Sequence, residues 1–286
     1  MSNASPIKTD IPARERLIFA LDVPDLERAR TLVDTLGDAV EFYKLGLEFF
    51  LSGHYFELAA DLKASGKKIF ADLKLFDIPA TVASAVRQLA RREVDFCTVH
   101  GNDAMLKAAA DAKGGMRILA VTALTSLDQG DLDDLGFQCD VRSLVLSRAK
   151  RALALGCDGV VSSGLEVPAL RESVDHALVT VCPGIRPIFN DEATADNDQQ
   201  RIVTPGRAIA DGADYLVVGR PIRDAADPRA AAEAIQQQIA EAPQRPGPGD
   251  GAGQPDRRGA QVAGDPAAGA APPRSDRRRP HDRHLA

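Results

Sequence analysis

Short runs of β-branched and other apolar residues recur along the chain and alternate with amphipathic stretches of helical period. The runs are LIFALDV (17–23), EFYKLG (41–46), KIFADLK (68–74), DFCTVH (95–100), RILAVTAL (117–124), GVVSSG (159–164), ALVTVCPGI (177–185) and DYLVVGR (214–220). Each is too short for a helix of the core and reads as a strand, whereas intervening segments such as VRSLVLSRAKRALALG carry apolar residues at helical spacing. Eight strand-helix units over this length predict a (β/α)8 TIM barrel, a fold of about 250 residues. An open doubly wound sheet is the alternative, because periodicity does not show closure.

The pattern stops near Ala242, where APQRPGPGDGAGQPDRRGAQVAGDPAAGAAPPRSDRRRPHDRHLA begins. Rich in Pro, Gly, Ala and Arg and almost free of large apolar residues, this stretch cannot build a core. Its Arg residues are interleaved with Asp, which favours a disordered tail over a dedicated binding arm. The expected organisation is an N-terminal extension over 1–16, a barrel over 17–241 and a disordered C-terminal tail over 242–286.

With 286 residues, 44% of them hydrophobic, the chain can bury a substantial core. No apolar stretch is long enough to span a bilayer, and MSNASPIKTDIPARER lacks the apolar centre of a signal peptide, so no membrane partner and a cytoplasmic location are expected. Cys97, Cys139, Cys157 and Cys182 form no CxxC pair, which argues for reduced thiols rather than a zinc knuckle or disulfide framework. The net charge of -6 argues against general nucleic-acid binding, so an anionic substrate requires a locally basic pocket.

Candidate chemistry gathers where strands end. The segment FADLKLFDIPATV (70–82) places Asp72, Lys74 and Asp77 in an otherwise apolar strand and its exit. Strand alternation puts Asp72 and Lys74 on one face and Leu73 and Leu75 on the other. A structural ion pair in the barrel mouth would explain Asp72 and Lys74 alone. Lys44 on the adjacent strand favours an alternating array able to keep a lysine protonated beside a reacting carbon. Asp77 lies before a helix opening at Pro79, where it could serve as a cap or as a functional carboxylate. Gly219 and Arg220, in VVGRPI, read as a phosphate grip at a helix start. Arg186, in CPGIRP, is either a second cation for that anion or a solvated loop charge. His100 ends the fourth strand without companions at metal-ligand spacing, Cys157 has no identifiable base, and His54 reads as helix-start surface.

Taken together, LDVP, YKLG, DLKLFDIPATV, TVHG, LTS, CPGIRP, NDQ and VVGRPI, in this order, resemble the orotidine 5'-phosphate decarboxylase family over about residues 17–240. The resemblance implies decarboxylation of orotidine 5'-phosphate to UMP, the last step of de novo UMP synthesis, without metal or organic cofactor. It makes Lys74 the acid that protonates C6 of the pyrimidine. Asp72 stands near the departing carboxylate, Lys44 completes the array, and Asp77 reaches the partner's site in a homodimer. Asp22 and Lys44 match ribose contacts, Thr81 a contact made across the interface, and Thr125 a residue near the pyrimidine. Arg186, Gln199, Gly219 and Arg220 match the phosphate grip and the loop that closes over it. Phe76 and Ala80 depart from the pattern, since many relatives have His and Asn there.

Two rivals stand beside this reading. A metal-dependent decarboxylase of a sugar phosphate shares the Asp-x-Lys-x-x-Asp pattern, but a magnesium site would want a carboxylate where Lys44 stands. A non-catalytic phosphate-binding barrel explains Arg186 and Arg220 and leaves the Lys44, Asp72 and Lys74 array without purpose.

Overall fold

The computed structural model describes residues 11–124, 126–174, 176–187 and 203–243. All eight expected strands form: β1 Leu17–Ala20, β2 Phe42–Leu45, β3 Lys68–Leu75, β4 Phe96–Val99, β5 Arg117–Val121, β6 Gly159–Val161, β7 Val179–Cys182 and β8 Tyr215–Val218. They pair in parallel and in sequence order, and β8 returns to β1 through Leu17↔Leu216, Ile18↔Val217 and Phe19↔Val218. The sheet therefore closes into a (β/α)8 barrel, which settles the choice against an open sheet.

Outside the barrel run α1 Leu26–Leu36, α2 Leu47–Leu51, α3 Tyr55–Ala64, α4 Pro79–Ala90, α5 Asp103–Ala112, α6 Gln129–Asp134, α7 Val141–Ala154, α8 Val167–Val174, α9 Pro205–Ala210, α10 Arg220–Arg223 and α11 Pro228–Glu241. Local chemistry marks several starts. Asp25, Asn102, Asp140 and Asp227 accept N–H bonds at the openings of α1, α5, α7 and α11, while α4 opens on Pro79, whose missing N–H costs nothing there.

Strands buried on both faces explain the near-continuous apolar runs. Phe19, Tyr43, Ile69, Cys97 and Ile118 point outward into the layer shared with the helices. Their neighbours Ile18, Phe42, Phe70, Phe96 and Leu119 point inward. At the N-terminal end of the barrel Phe42, Phe96 and Tyr215 meet edge to face, with ring centroids 4.9, 5.8 and 5.1 Å apart. This aromatic plug, extended by Phe70, fills the bottom of the barrel as a packed core rather than a pore. Ile11 joins the plug and Ala242 joins the outer layer, so the packing observed runs slightly beyond both expected barrel boundaries. The remainder of the extension, residues 1–10, and the tail from 244 lie outside the described residues.

Candidate active site

At the C-terminal ends of β1, β2 and β3 four charged side chains form a line of alternating sign. Lys44 Nζ donates to Asp22 Oδ1 at 3.0 Å and stands 3.6 Å from Asp72 Oδ2. Lys74 Nζ donates to Asp72 Oδ1 at 2.8 Å. The inner members are the more buried: the side chains of Lys44 and Asp72 are 10% and 14% exposed, those of Lys74 and Asp22 34% and 39%. A buried ammonium between two carboxylates is tolerable where either charge alone would not be. The array thus anchors itself in the barrel and presents Lys74 and Asp22 towards its mouth.

Local backbone geometry builds the line. Leu73 and Leu75 pack into the outer layer, and Asp72 and Lys74 meet on the other side. The regular alternation expected for this stretch is interrupted, however. β3 shifts register against β4 between Ala71 and Leu75, and Lys74 adopts φ +47°, in the left-handed region that non-glycine residues seldom occupy. Lys74 N–H donates to Thr98 Oγ1 at 2.9 Å, and the Thr98 hydroxyl donates to Asp72 Oδ1 at 2.9 Å. Gly46 supports the other end of the line, since a Cβ there would lie 2.9 Å from Asp22 Oδ1 and 3.0 Å from Lys44 Nζ. Arg223 of α10 donates to the Asp22 carbonyl at 2.8 Å and ties the exit of β1 to the short helix that follows β8. Thr98, Gly46 and Arg223 were not singled out by sequence reasoning. A Thr in an apolar strand and a Gly after one are ordinary, and only the side chains on the adjoining strands give them meaning.

The remaining candidates are placed less centrally. Asp77 is exposed, and its Oδ1 accepts from the N–H of Ile78 at 2.6 Å; among the described residues it makes no ion pair with the array. Thr81 is exposed on the first turn of α4. Arg186 is exposed, and its N–H donates to the Val203 carbonyl at 3.2 Å, which clips together the two ends of the segment between β7 and α9. Gly219 precedes α10, where an added Cβ would lie 3.2 Å from that of Ala20, and Arg220 is that short helix's exposed first residue. Thr125 and Gln199 lie outside the described residues.

His100 at the end of β4 donates its backbone N–H to Leu75 O at 3.0 Å and sets its ring edge-on to Phe76, with centroids 5.5 Å apart. Burial, followed by the positive charges of Arg148 and Lys74, holds its pKa below the ordinary value. Burial also pushes the Cys97 and Cys157 thiols up to about 12, which disqualifies them as nucleophiles at neutral pH. His54 sits at the surface opening of α3 with its Nδ1 3.1 Å from Glu57. A concavity of about 620 Å³, lined in part by Lys68, Phe96, Arg117 and Tyr215, opens at the opposite end of the strands and contains none of the array.

A closed parallel barrel with a shared line of charged side chains at the C-terminal ends of its strands is the architecture of a barrel enzyme. Comparison with known proteins gives the family. The model of the orotidine 5'-phosphate decarboxylase / HUMPS family matches residues 15–235, and the chain belongs to that family. A protein of Methylococcus capsulatus named orotidine 5'-phosphate decarboxylase is 65% identical over 229 residues, which cover 80% of this chain and 93% of that protein. One of the same name from Xanthomonas oryzae pv. oryzae is 52% identical over 231 residues, 80% of this chain and 93% of the relative. Among solved structures, orotidine 5'-phosphate decarboxylase from Lactobacillus acidophilus is 37% identical with a TM-score of 0.69, covering 79% of this chain and 99% of that one.

Proposed function

We propose that the protein decarboxylates orotidine 5'-phosphate to UMP and carbon dioxide, the last step of UMP biosynthesis, with Lys74 as proton donor. The observation that carries the mechanism is the alternating line Asp22, Lys44, Asp72, Lys74. As the bond from C6 to the carboxylate breaks, its electron pair stays on C6 in the ring plane, where the pyrimidine does not delocalise it well. A preorganised ammonium stabilises that charge and delivers a proton to C6, and the resulting amine is recharged from solvent. Asp72 stands beside the departing carboxylate and pairs with the Lys74 ammonium. Asp22 and Lys44 hold the ribose, and Thr125 lies by the pyrimidine. Arg186, Gln199, Gly219 and Arg220 hold the phosphate, whose binding energy supports the chemistry at the ring.

Lys44, engaged with two carboxylates, occupies the place where a magnesium-dependent sugar-phosphate decarboxylase would want an acidic ligand. The test follows loss of orotidine 5'-phosphate absorbance in excess EDTA for wild type and Lys74→Ala. Turnover by the wild type that collapses in the variant supports the reading. A folded wild type that is inert in EDTA but decarboxylates a keto sugar phosphate on adding magnesium overturns it.

The working unit is a homodimer in which Asp77 and Thr81 complete the partner's site. Support comes from the side chains flanking Asp77, Phe76 and Ile78, each 65% exposed, and from the exposed Leu47 and Leu51 on α2. Large apolar groups bracketing a functional carboxylate suit an interface with a second copy. Mixing inactive Lys74→Ala with inactive Asp77→Asn then restores about a quarter of wild-type activity, since half the dimers are mixed and each mixed dimer holds one intact site. A mixture that stays inactive after subunit exchange removes the shared site. Among the described residues no helix is long and apolar enough to cross a membrane. The cytoplasm is the proposed location.

A further inference from the structure

We propose that Thr98 is a positioning residue for the reaction, holding Lys74 in the one backbone conformation that aims its ammonium along the array. The inference rests on the assignment of Lys74 as proton donor. β3 and β4 are in register at Phe70↔Phe96 and Ala71↔Cys97, then again at Leu75↔Val99. Between the last two pairs β3 advances four residues and β4 only two, so two residues of β3 are looped out of the ladder. Lys74 lies in that bulge with φ +47°, a conformation that costs a residue bearing a Cβ and that the surroundings must enforce.

Thr98 supplies the enforcement. It is fully buried on β4, opposite the gap. Its hydroxyl takes over as acceptor for the Lys74 N–H, at 2.9 Å. The single proton of that hydroxyl goes to Asp72 Oδ1, also at 2.9 Å, and the same Oδ1 accepts from Lys74 Nζ at 2.8 Å. The donors and acceptors close a ring: Lys74 N–H to Thr98 Oγ, Thr98 O–H to Asp72, and Asp72 back to the Lys74 ammonium. Both ends of Lys74 are thereby fixed through one hydroxyl, whose own freedom is small because Thr is β-branched and buried. Without it the Lys74 N–H is left unpaired in the barrel and the backbone is released towards an ordinary strand conformation. The ammonium then loses the position from which it reaches C6, and such displacements are expensive in rate.

The test compares Thr98→Val, which keeps shape and loses the hydroxyl, with Thr98→Ser, which keeps the hydroxyl and loses shape. The expected result is a fall in kcat of about ten- to hundred-fold for Val with KM changed by less than about threefold, and a kcat within about threefold of wild type for Ser. A crystal structure of the Val variant should show Lys74 back at negative φ. A packing role gives the reverse order, with Val active and Ser impaired, and overturns the proposal, as does equal impairment of both. Should Thr98→Val fail to fold, Thr98→Ala against Thr98→Ser reads the same difference. Lys74→Ala, assayed in parallel, separates the two levels. If it is inactive while Val turns over normally, the role of Thr98 alone is lost; if it turns over normally, the assignment of Lys74 is lost.

Discussion

At the N-terminal end of the barrel Asp95, Asp158 and Asp214 stand just before β4, β6 and β8, and each does the same two things. Asp95 accepts from Ile69 N–H at 2.8 Å and pairs with Lys63 of α3 at 3.2 Å. Asp158 accepts from Ile118 N–H at 2.9 Å and pairs with Lys113, at the end of α5, at 2.7 Å. Asp214 accepts from Thr180 N–H at 2.8 Å and pairs with Arg171 of α8 at 2.6 Å. Three times over, a carboxylate staples its own strand to the preceding one and draws a cation from the helix that leads into that preceding strand. At the C-terminal end the same residue types are shared instead of closed. Asp72 serves Lys44 and Lys74, and Lys44 serves Asp22 and Asp72. Among the described residues no backbone N–H donates to the carboxylate of Asp22 or of Asp72. The contrast separates charges spent on the frame from charges left available to a substrate, which is how barrel enzymes divide stability and chemistry between their ends.

Breaking one site at each end sharpens that contrast. Lys74→Ala should lower turnover by at least about a thousand-fold. Its melting temperature should move by only a few degrees, because Asp72 keeps Lys44 and Thr98 as partners. Asp158→Ala should do the opposite: it strips the Ile118 N–H of its acceptor and Lys113 of its counterion, at a cost of about 2 kcal/mol in denaturant unfolding. Its kcat should stay within about twofold of wild type. If Asp158→Ala is slow but stable, the division of labour between the two ends is wrong.

A smaller effect tests how tightly the open end is built. Gly46 has φ -102°, which alanine adopts without strain, so Gly46→Ala puts a methyl group against Asp22 and Lys44 and changes little else. The expected outcome is a loss of about tenfold in kcat/KM, mostly through KM, with unfolding free energy unchanged within about 0.5 kcal/mol. An unaffected KM would show that the Asp22–Lys44 pair has room to move.

Much of this division was legible in the residues. The eight strands fall where the apolar runs predict them because strands covered on both faces need no polar interruptions. For the same reason the charges in ADLKLFD stood out. Less visible was the bulge at Lys74: plain alternation already put Asp72 and Lys74 together, so nothing in the pattern called for a left-handed residue. The three staples did leave a trace in VDFCTV, CDGVV and ADYLVV, where one Asp opens each apolar run. A lone Asp at a strand start reads as turn chemistry, and its N–H and cation partners come from other segments of the chain. Thr98 and Gly46 were hidden likewise, since their roles are defined by side chains that only the pairing of neighbouring strands brings to them.

His100 tests the field at the open end. Its depressed pKa has burial as first cause, then Arg148 on α7 and Lys74 on β3, both positive. A base held below its unfolded value of about 6.5 binds fewer protons in the folded state than in the unfolded one. Its contribution to stability is therefore complete above about pH 6.5 and is lost as pH falls through the folded pKa. Other groups also titrate on the acid side, so the informative quantity is the difference between the melting curves of wild type and His100→Gln. That difference should be flat above pH 7 and should turn against the wild type as pH falls towards 5. Curves that run parallel would mean that His100 is not held neutral. In Lys74→Ala one of the two positive neighbours is gone while burial stays, so the imidazole resonances should titrate at a higher pH than in wild type yet stop short of the unfolded value. The size of that upward move measures how much positive potential Lys74, though paired with Asp72, still projects into the barrel mouth, the property that the closed ion pairs at the other end are built to cancel.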